Sequence, residues 1–131
     1  MSIPAANHFS RHYTLEQARA LLPEIRRWLA LLETCQIKLD ATEEALAVLL
    51  AKNGDTGGEL VNTLVKTVAD IREVLEEFAS RQIQVKDIER GLIDFPSWRN
   101  GREIFLCWEK DEADIEFWHD FESGYAGRER V

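Results

Sequence analysis

The sequence predicts an α+β fold: a long, antiparallel, coiled-coil-like hairpin of two helices, followed by a small antiparallel β-meander of three to four strands. Two observations predict it. In the first half of the chain apolar residues recur three and four positions apart, the period of one helix face, and from about residue 83 the period becomes two, that of a strand. The 131 residues are the size of one domain. We therefore expect a single domain with an arm at 1–13, a helical hairpin at 14–82, the meander at 83–122 and a tail at 123–131.

A capping signal predicts where the first helix begins. The hydroxyl of Thr14 can accept a hydrogen bond from a free backbone N–H of the first turn. The side chain of Gln17, at the third helical position, can in return accept from the backbone N–H of Thr14. Pro23 removes one hydrogen bond and predicts a bend. The predicted seam contains Leu21, Ile25, Trp28, Leu32, Cys35, Leu39, Leu46 and Leu49, with Thr42 as its polar member.

The second helix is predicted from Glu59, an acid suited to the positive end of the helix dipole. Its predicted seam is Val61, Leu64, Val68, Ile71, Leu75 and Phe78. The glycine-rich run at 53–58 joins the two helices. It follows a helix and lacks the Gly-Lys-Ser/Thr of a P-loop, so it indicates a connector and not a phosphate site.

Asn100-Gly101 predicts a two-residue hairpin, because both positions tolerate a positive φ. The register counted from this turn pairs Arg99 with Arg102, Ser97 with Ile104, Phe95 with Leu106, and Ile93 with Trp108. The deeper pairs are all apolar, which favours this register. Pro96 cannot donate to a ladder and predicts an edge strand.

A second hairpin is predicted to turn through 110–113. Its register sets Trp108 beside Ile115, Leu106 beside Phe117, and Ile104 beside His119 on the apolar face. The opposite face then carries Asp94, Cys107 and Glu116 in one row and Phe105 beside Trp118 in another. Residues 83–87 form a further strand, or else the second helix continues to Arg90 with Gly91 as its C-cap; the strand is favoured.

Composition limits the functions that the chain can have. The net charge is −8, and acids crowd residues 103–122, which argues against nucleic acid as a partner. No apolar run approaches a membrane span and no secretory leader is evident, so we expect a cytoplasmic protein without a membrane partner. Cys35 and Cys107 lie far apart and outside any CxxC spacing, which predicts reduced thiols and neither a metal nor a cofactor.

Several segments resemble one family along nearly the whole chain. They are 13–18 (YTLEQA) with 21–23 (LLP), Asp87, 91–96 (GLIDFP), 106–108 (LCW), 118–119 (WH) and 124–128 (GYAGR). The chain is similar to the prokaryotic conserved hypothetical proteins grouped as domain-of-unknown-function family 2203. It departs from that pattern at the second turn, where Asp111 and Ala113 stand in place of Gly and Pro. The resemblance implies no activity, cofactor or catalytic residue.

Three weak candidates for catalysis emerge, His119, Asp94 and Glu116. His119, followed by Asp120 and Glu122, can be a metal ligand or general base, or can simply order the sheet edge by one hydrogen bond. Asp94 and Glu116 around Cys107 suggest an acid–base pair, whereas two carboxylates with one thiol are an unusual metal set. Solvated strand charges are the alternative.

The end of the chain supplies an anion-binding hypothesis. Gly124, Gly127 and Arg128 can form a backbone nest with a charged arm, although a glycine-containing tail is often only mobile.

The surplus of apolar surface, from two seams and a two-sided sheet, predicts a non-enzymatic interaction or scaffold module that acts as a homodimer. The alternative is a small enzyme or a metal- or anion-binding protein, with its site at the C-terminal sheet and the Gly-Arg tail.

Overall fold

The computed structural model describes residues 7–52 and 58–131. Its helices are α1 (Leu15–Ala51) and α2 (Gly58–Ser80), and its strands are β1 (Gln84–Asp87), β2 (Leu92–Arg99), β3 (Arg102–Glu109), β4 (Phe117–His119) and β5 (Glu129–Arg130). By its contacts the chain divides into two compact units. One comprises the part up to Arg26 together with Phe78–Val131, and the other is Arg27–Glu77. Across the described ranges, no helix combines the length and apolarity needed to cross a membrane.

In the unit Arg27–Glu77, α1 and α2 pack together, as the predicted hairpin requires. The predicted seam of α1 is right, with Trp28, Leu32 and even Thr42 buried. Thr42 can be buried because its hydroxyl donates to the carbonyl of Lys38, 2.7 Å away. Except for Gly58, the predicted glycine connector at 53–58 lies outside the described residues.

The predicted seam of α2 is partly wrong. Val61 and Val68 are exposed, whereas Thr67, which was not predicted, is 2% exposed. The Thr67 hydroxyl donates to the carbonyl of Thr63 at 2.7 Å, so its polar group is satisfied inside the helix. The prediction selected residues by hydrophobicity alone, whereas a threonine whose hydroxyl bonds to the i−4 carbonyl can also occupy a buried position.

The ends of the helices follow local chemistry. The predicted capping box is present, since Thr14 N donates to Gln17 Oε1 at 3.0 Å and Gln17 N to Thr14 Oγ1 at 3.1 Å. Helix α1 continues through Pro23. Helix α2 stops at Ser80 because Gln82 adopts a positive φ of 58° and Ile83 N bonds back to the carbonyl of Phe78. This stop confirms the strand at residues 84–87 and excludes the longer helix.

The five strands form one sheet in the order β1-β2-β3-β4-β5. The predicted β2–β3 register is confirmed pair by pair, around a turn whose Asn100 and Gly101 have φ of 52° and 77°. The edge position predicted for the strand of Pro96 is wrong, because β1 pairs with β2. The pairing of β1 with β2 extends only to Asp94 of β2, however. Pro96 lies beyond that point, so its missing N–H leaves no hydrogen bond with β1 unmade.

The predicted register of β3 with β4 is wrong by one residue. Leu106 faces Trp118 and Phe105 faces His119, not Phe117 and Trp118 as predicted. The intervening turn is longer than expected. Within it Glu109 N donates to Glu112 Oε1 at 2.8 Å, and Arg26 of α1 donates to the carbonyls of Lys110, Glu112 and Ala113. A slip of one residue moves every β4 side chain to the other face of the sheet.

The predicted tail is part of the sheet. Residues Glu129–Arg130 form β5 and pair with β4, which makes five strands where three to four were expected. The second sheet face is also covered by this chain, because Phe9 and Phe121 pack on Phe105 with ring centroids 5.6 and 4.5 Å away. The predicted row of Phe105 beside Trp118 does not form, because Phe105 faces His119 and Trp118 faces Leu106.

Candidate functional site

The register slip brings His119 to the face that carries Asp94 and Cys107. Asp94 lies on β2 directly opposite Cys107 on β3, and Cys107 lies opposite Phe117, two positions before His119 on β4. Three adjacent strands thus each contribute one chemically active side chain. Their donor atoms, a carboxylate oxygen, a sulfur and an imidazole nitrogen, all lie within 4.8 Å of one another, and all three residues are buried.

His119 is fixed in orientation at both ring nitrogens. Its Nδ1 lies 2.6 Å from the carbonyl oxygen of Asp120, which can only accept, so Nδ1 carries a hydrogen. Its Nε2 lies 3.0 Å from each carboxylate oxygen of Asp94. Both side chains are only 4% exposed. This arrangement, with the backbone holding Nδ1 and leaving Nε2 to the site, is the one that metal-bound histidines use.

The charges in the cluster follow from these contacts. Burial, the largest influence, lowers the pKa of His119, but the hydrogen bonds to Asp94 and to the Asp120 carbonyl outweigh it and leave the pKa raised. Burial and, next, the charge of Asp94 raise the pKa of the Cys107 thiol to about 12. Without a metal ion, the raised pKa of His119 favours its protonated form beside Asp94, and the raised pKa of Cys107 favours the neutral thiol.

A nucleophilic role for Cys107 does not fit this chemistry. Reactive cysteines have a lowered pKa and a nearby base, whereas this pKa is raised and His119 Nε2 is directed to Asp94. Metal coordination fits better, because a metal ion displaces the thiol proton outright. One thiolate, one imidazole and one carboxylate are ligands of zinc, with Zn–S about 2.3 Å and Zn–N about 2.0–2.1 Å.

The cluster forms the floor of a cavity of about 280 Å³. Leu92, Phe105, Phe121 and Tyr125 supply its apolar walls, and Lys86 and Gly124 complete the lining. The described donors therefore do not enclose a central ion completely. Three protein ligands and one position open to a cavity are typical of catalytic zinc, whereas structural zinc has four protein ligands.

The predicted site residues divide between this cavity and the surface. Two of the three candidates, Asp94 and His119, meet, with His119 Nε2 3.0 Å from both carboxylate oxygens of Asp94. Glu116 does not join them, because the register slip turns it outward and leaves it exposed. The carboxylate of Asp120 instead accepts from the N–H groups of Glu122 and Ser123. The prediction was also wrong to set His119 at the end of the apolar face beside Ile104.

The glycine-arginine segment is built around an internal ion pair. Nη1 of Arg128 lies 2.9 and 3.1 Å from the two carboxylate oxygens of Glu112, and its guanidinium stacks 4.1 Å from the Phe117 and Tyr125 ring centroids. The charge of Arg128 is thereby matched within the chain. The anion site at Gly124, Gly127 and Arg128 stays a prediction.

Sequence reasoning missed Lys86 and the proximity of Cys107 to His119. The second depends on the register, because only the observed pairing of Phe105 with His119 places His119 on the same face as Cys107. The length of the preceding turn hid it.

The comparisons with known proteins give a family and no function. A family model described as "Uncharacterized conserved protein (DUF2203)" matches residues 11–131. The chain belongs to this family. A search of curated proteins and a search of solved structures found no match.

Proposed function

We propose that this protein binds a zinc-class metal ion through Asp94, Cys107 and His119 and presents the ion's open coordination position to the cavity. The observation that carries the proposal is the convergence of three buried donor atoms from three strands within 4.8 Å. Around zinc, neighbouring ligand atoms lie roughly 3–4 Å apart, so small side-chain movements complete the site. A bound ion would supply Lewis acidity to whatever enters the cavity.

The rival interpretation is a buried ion pair that only stabilises the sheet. A carboxylate and an imidazolium need no third partner for that role. The pair would be as well served by an alanine or serine in place of Cys107, whereas a zinc site needs the sulfur. The cysteine therefore discriminates between the two interpretations.

Cobalt(II) tests the site directly, because sulfur coordination gives it an intense charge-transfer band. We expect one cobalt per chain with that band, loss of the band in Cys107→Ser, and weakened binding in His119→Ala. Cys35→Ser is the matched control, since Cys35 lies on α1 outside the cluster and its loss should leave the spectrum unchanged. Circular dichroism verifies that each variant is folded. Cobalt binding without the band, or a band that depends on Cys35, would refute the proposal.

A second function, the homodimeric interaction module, has its own supporting observation. Val61, Val65 and Val68 lie four and three positions apart on one side of α2 and are 38%, 62% and 42% exposed. A row of exposed valines on a helix is typical of a surface that pairs with a partner. A second copy of this chain would cover it, and we place both functions in the cytoplasm, where Cys107 stays reduced.

Sedimentation across a concentration series tests the dimer. We expect the wild type to dimerise and Val65→Asp to be monomeric, while Glu76→Asp on the same helix behaves as wild type. A wild-type protein that stays monomeric at high concentration would contradict the dimer and leave the metal site untouched.

A further inference from the structure

Lys86 is the irregular residue of β1. Along β1, Val85 pairs with Ile93 and Asp87 pairs with Leu92, so two steps on β1 oppose a single step on β2. Lys86 is the extra residue of this β-bulge and has no partner across the strands. Bulges redirect side chains and are frequent beside active sites. Because of the bulge, Lys86 lies outside the regular pairing of β1 with β2, and it lines the cavity.

The position of Lys86 is defined by the cavity itself. Lys86 lines the cavity together with Asp94 and His119. Lys86 itself is exposed, and its Nζ lies 5.2 Å from the ring centroid of Phe105. A cation at this distance from an aromatic ring is attracted to the face of the ring.

The other cations near the cavity are already neutralised. Arg90 Nε lies 2.9 Å from a carboxylate oxygen of Glu109, and Arg128 is paired with Glu112. Within 7–52 and 58–131, the structure shows no carboxylate ion-paired with Lys86. Lys86 is therefore the cation that remains available to a molecule in the cavity.

The charge of the metal-loaded cavity follows by addition. A divalent ion brings two positive charges, and the Asp94 carboxylate and the Cys107 thiolate cancel them. His119 is neutral as a ligand. Lys86, which is exposed at its position on β1, then leaves one positive charge beside the cavity, and this charge attracts an anion.

We propose that this cavity binds a small monocarboxylate, whose carboxylate lies between the metal's open position and Lys86 and whose apolar body contacts Phe105 and Phe121. This inference rests on the proposed metal site and adds the ligand class and a specificity-determining lysine. A cavity of about 280 Å³ falls just below the range of drug-sized sites, which favours a ligand of one ring or a short chain. Single negative charge and an apolar body are the two features that the cavity complements.

Benzoate and benzamide form a matched pair of probes, because they share a ring and differ in charge. We would load the protein with cobalt(II) and follow the visible ligand-field bands while adding either compound. Benzoate should shift these bands saturably, and benzamide should not. Lys86→Gln should weaken benzoate binding by up to about fivefold, the range expected for an ion pair made by an exposed lysine. Lys38→Gln on α1 is the control and should bind benzoate as the wild type does.

The outcomes separate this inference from the function on which it rests. If the sulfur–cobalt band forms but benzoate leaves the spectrum unchanged, the metal site stands and the carboxylate inference fails. Equal binding of benzoate and benzamide, or a Lys86→Gln protein that binds benzoate like the wild type, also overturns it. If no sulfur–cobalt band forms at all, both fail. The band in Lys86→Gln itself reports that this variant is folded and keeps the metal site.

Discussion

Replacing His119 by glutamine should destabilise the metal-free protein by about 3–5 kcal/mol, the usual result of leaving one partner of a buried ion pair alone. The contacts support this magnitude. Nε2 lies 3.0 Å from both oxygens of Asp94, and both side chains are 4% exposed. Coulomb's law at an effective dielectric constant of about 20 gives an attraction of roughly 5–6 kcal/mol at that distance, before desolvation is subtracted.

The raised pKa of His119 also predicts how the free energy of unfolding changes with pH. The folded-state pKa of His119 is raised above its ordinary value of 6.5. Its stabilisation is therefore fully present below about pH 6.5, the unfolded value, and is lost as pH rises through the folded pKa. Between pH 6 and 9 the stability of the wild type should fall by more than that of His119→Gln.

Urea unfolding of EDTA-treated protein measures both effects. The double variant Asp94→Asn with His119→Gln is the control, because it removes both charges and should recover part of the loss. A single variant that loses less than about 1 kcal/mol would refute the reasoning, since so small a loss is typical of a solvent-screened pair.

Three further predictions concern the scaffold. Glu103 accepts hydrogen bonds from the backbone and ring of His8, the backbone of Phe9 and the ring of His12; although burial raises its pKa, these bonds lower it to about 2. The stabilisation from ionised Glu103 is present above pH 4.5 and is lost as pH falls through about 2. In Glu103→Gln the free energy of unfolding should therefore depend less on pH in this range, and urea unfolding from pH 2 to 7 measures it. Gly91→Ala should destabilise more than Gly101→Ala in thermal unfolding: both have positive φ, but a Cβ at Gly91 would meet Lys110 Cβ at 2.7 Å, while nothing lies within 4 Å at Gly101. Equal losses would contradict this. Thr14→Ala should cost about 1 kcal/mol in the same assay by removing the capping box, and an unchanged midpoint would argue against that cap.

Local signals in the sequence were sufficient for the helices and the first hairpin. The Thr14–Gln17 box and the Asn100-Gly101 turn act within a few residues, and the structure reproduces both. The end of α2 was harder to predict, because glutamine occupies the left-handed position where glycine is usual. Gln82 holds that position while its side-chain oxygen accepts from the backbone N–H groups of Ser10 and Arg11. A contact between residues so far apart in the sequence cannot be predicted from the local residue pattern.

The site depends on the length of the turn before β4, because that length decides which face of the sheet His119 occupies. Arg26 of α1 donates to the carbonyls of this turn from about 85 residues away in the sequence. Asp94 and His119 were predicted as candidates, but the wrong register replaced His119 with Glu116 beside Cys107. The predicted cluster therefore had two carboxylates and a thiol, a ligand set that argued against a metal. The observed cluster has one carboxylate, one thiol and one imidazole. The bulge at Lys86 likewise arises from strand pairing and has no signal in the sequence.

X-ray absorption at the zinc edge of the zinc-loaded protein tests the metal site most directly, because it counts the atoms bonded to the ion. We expect one sulfur at about 2.3 Å and two or three nitrogen or oxygen neighbours at about 2.0–2.2 Å, with the sulfur lost in Cys107→Ser and kept in Cys35→Ser. A zinc ion with only nitrogen and oxygen neighbours, or with two sulfurs, would contradict it.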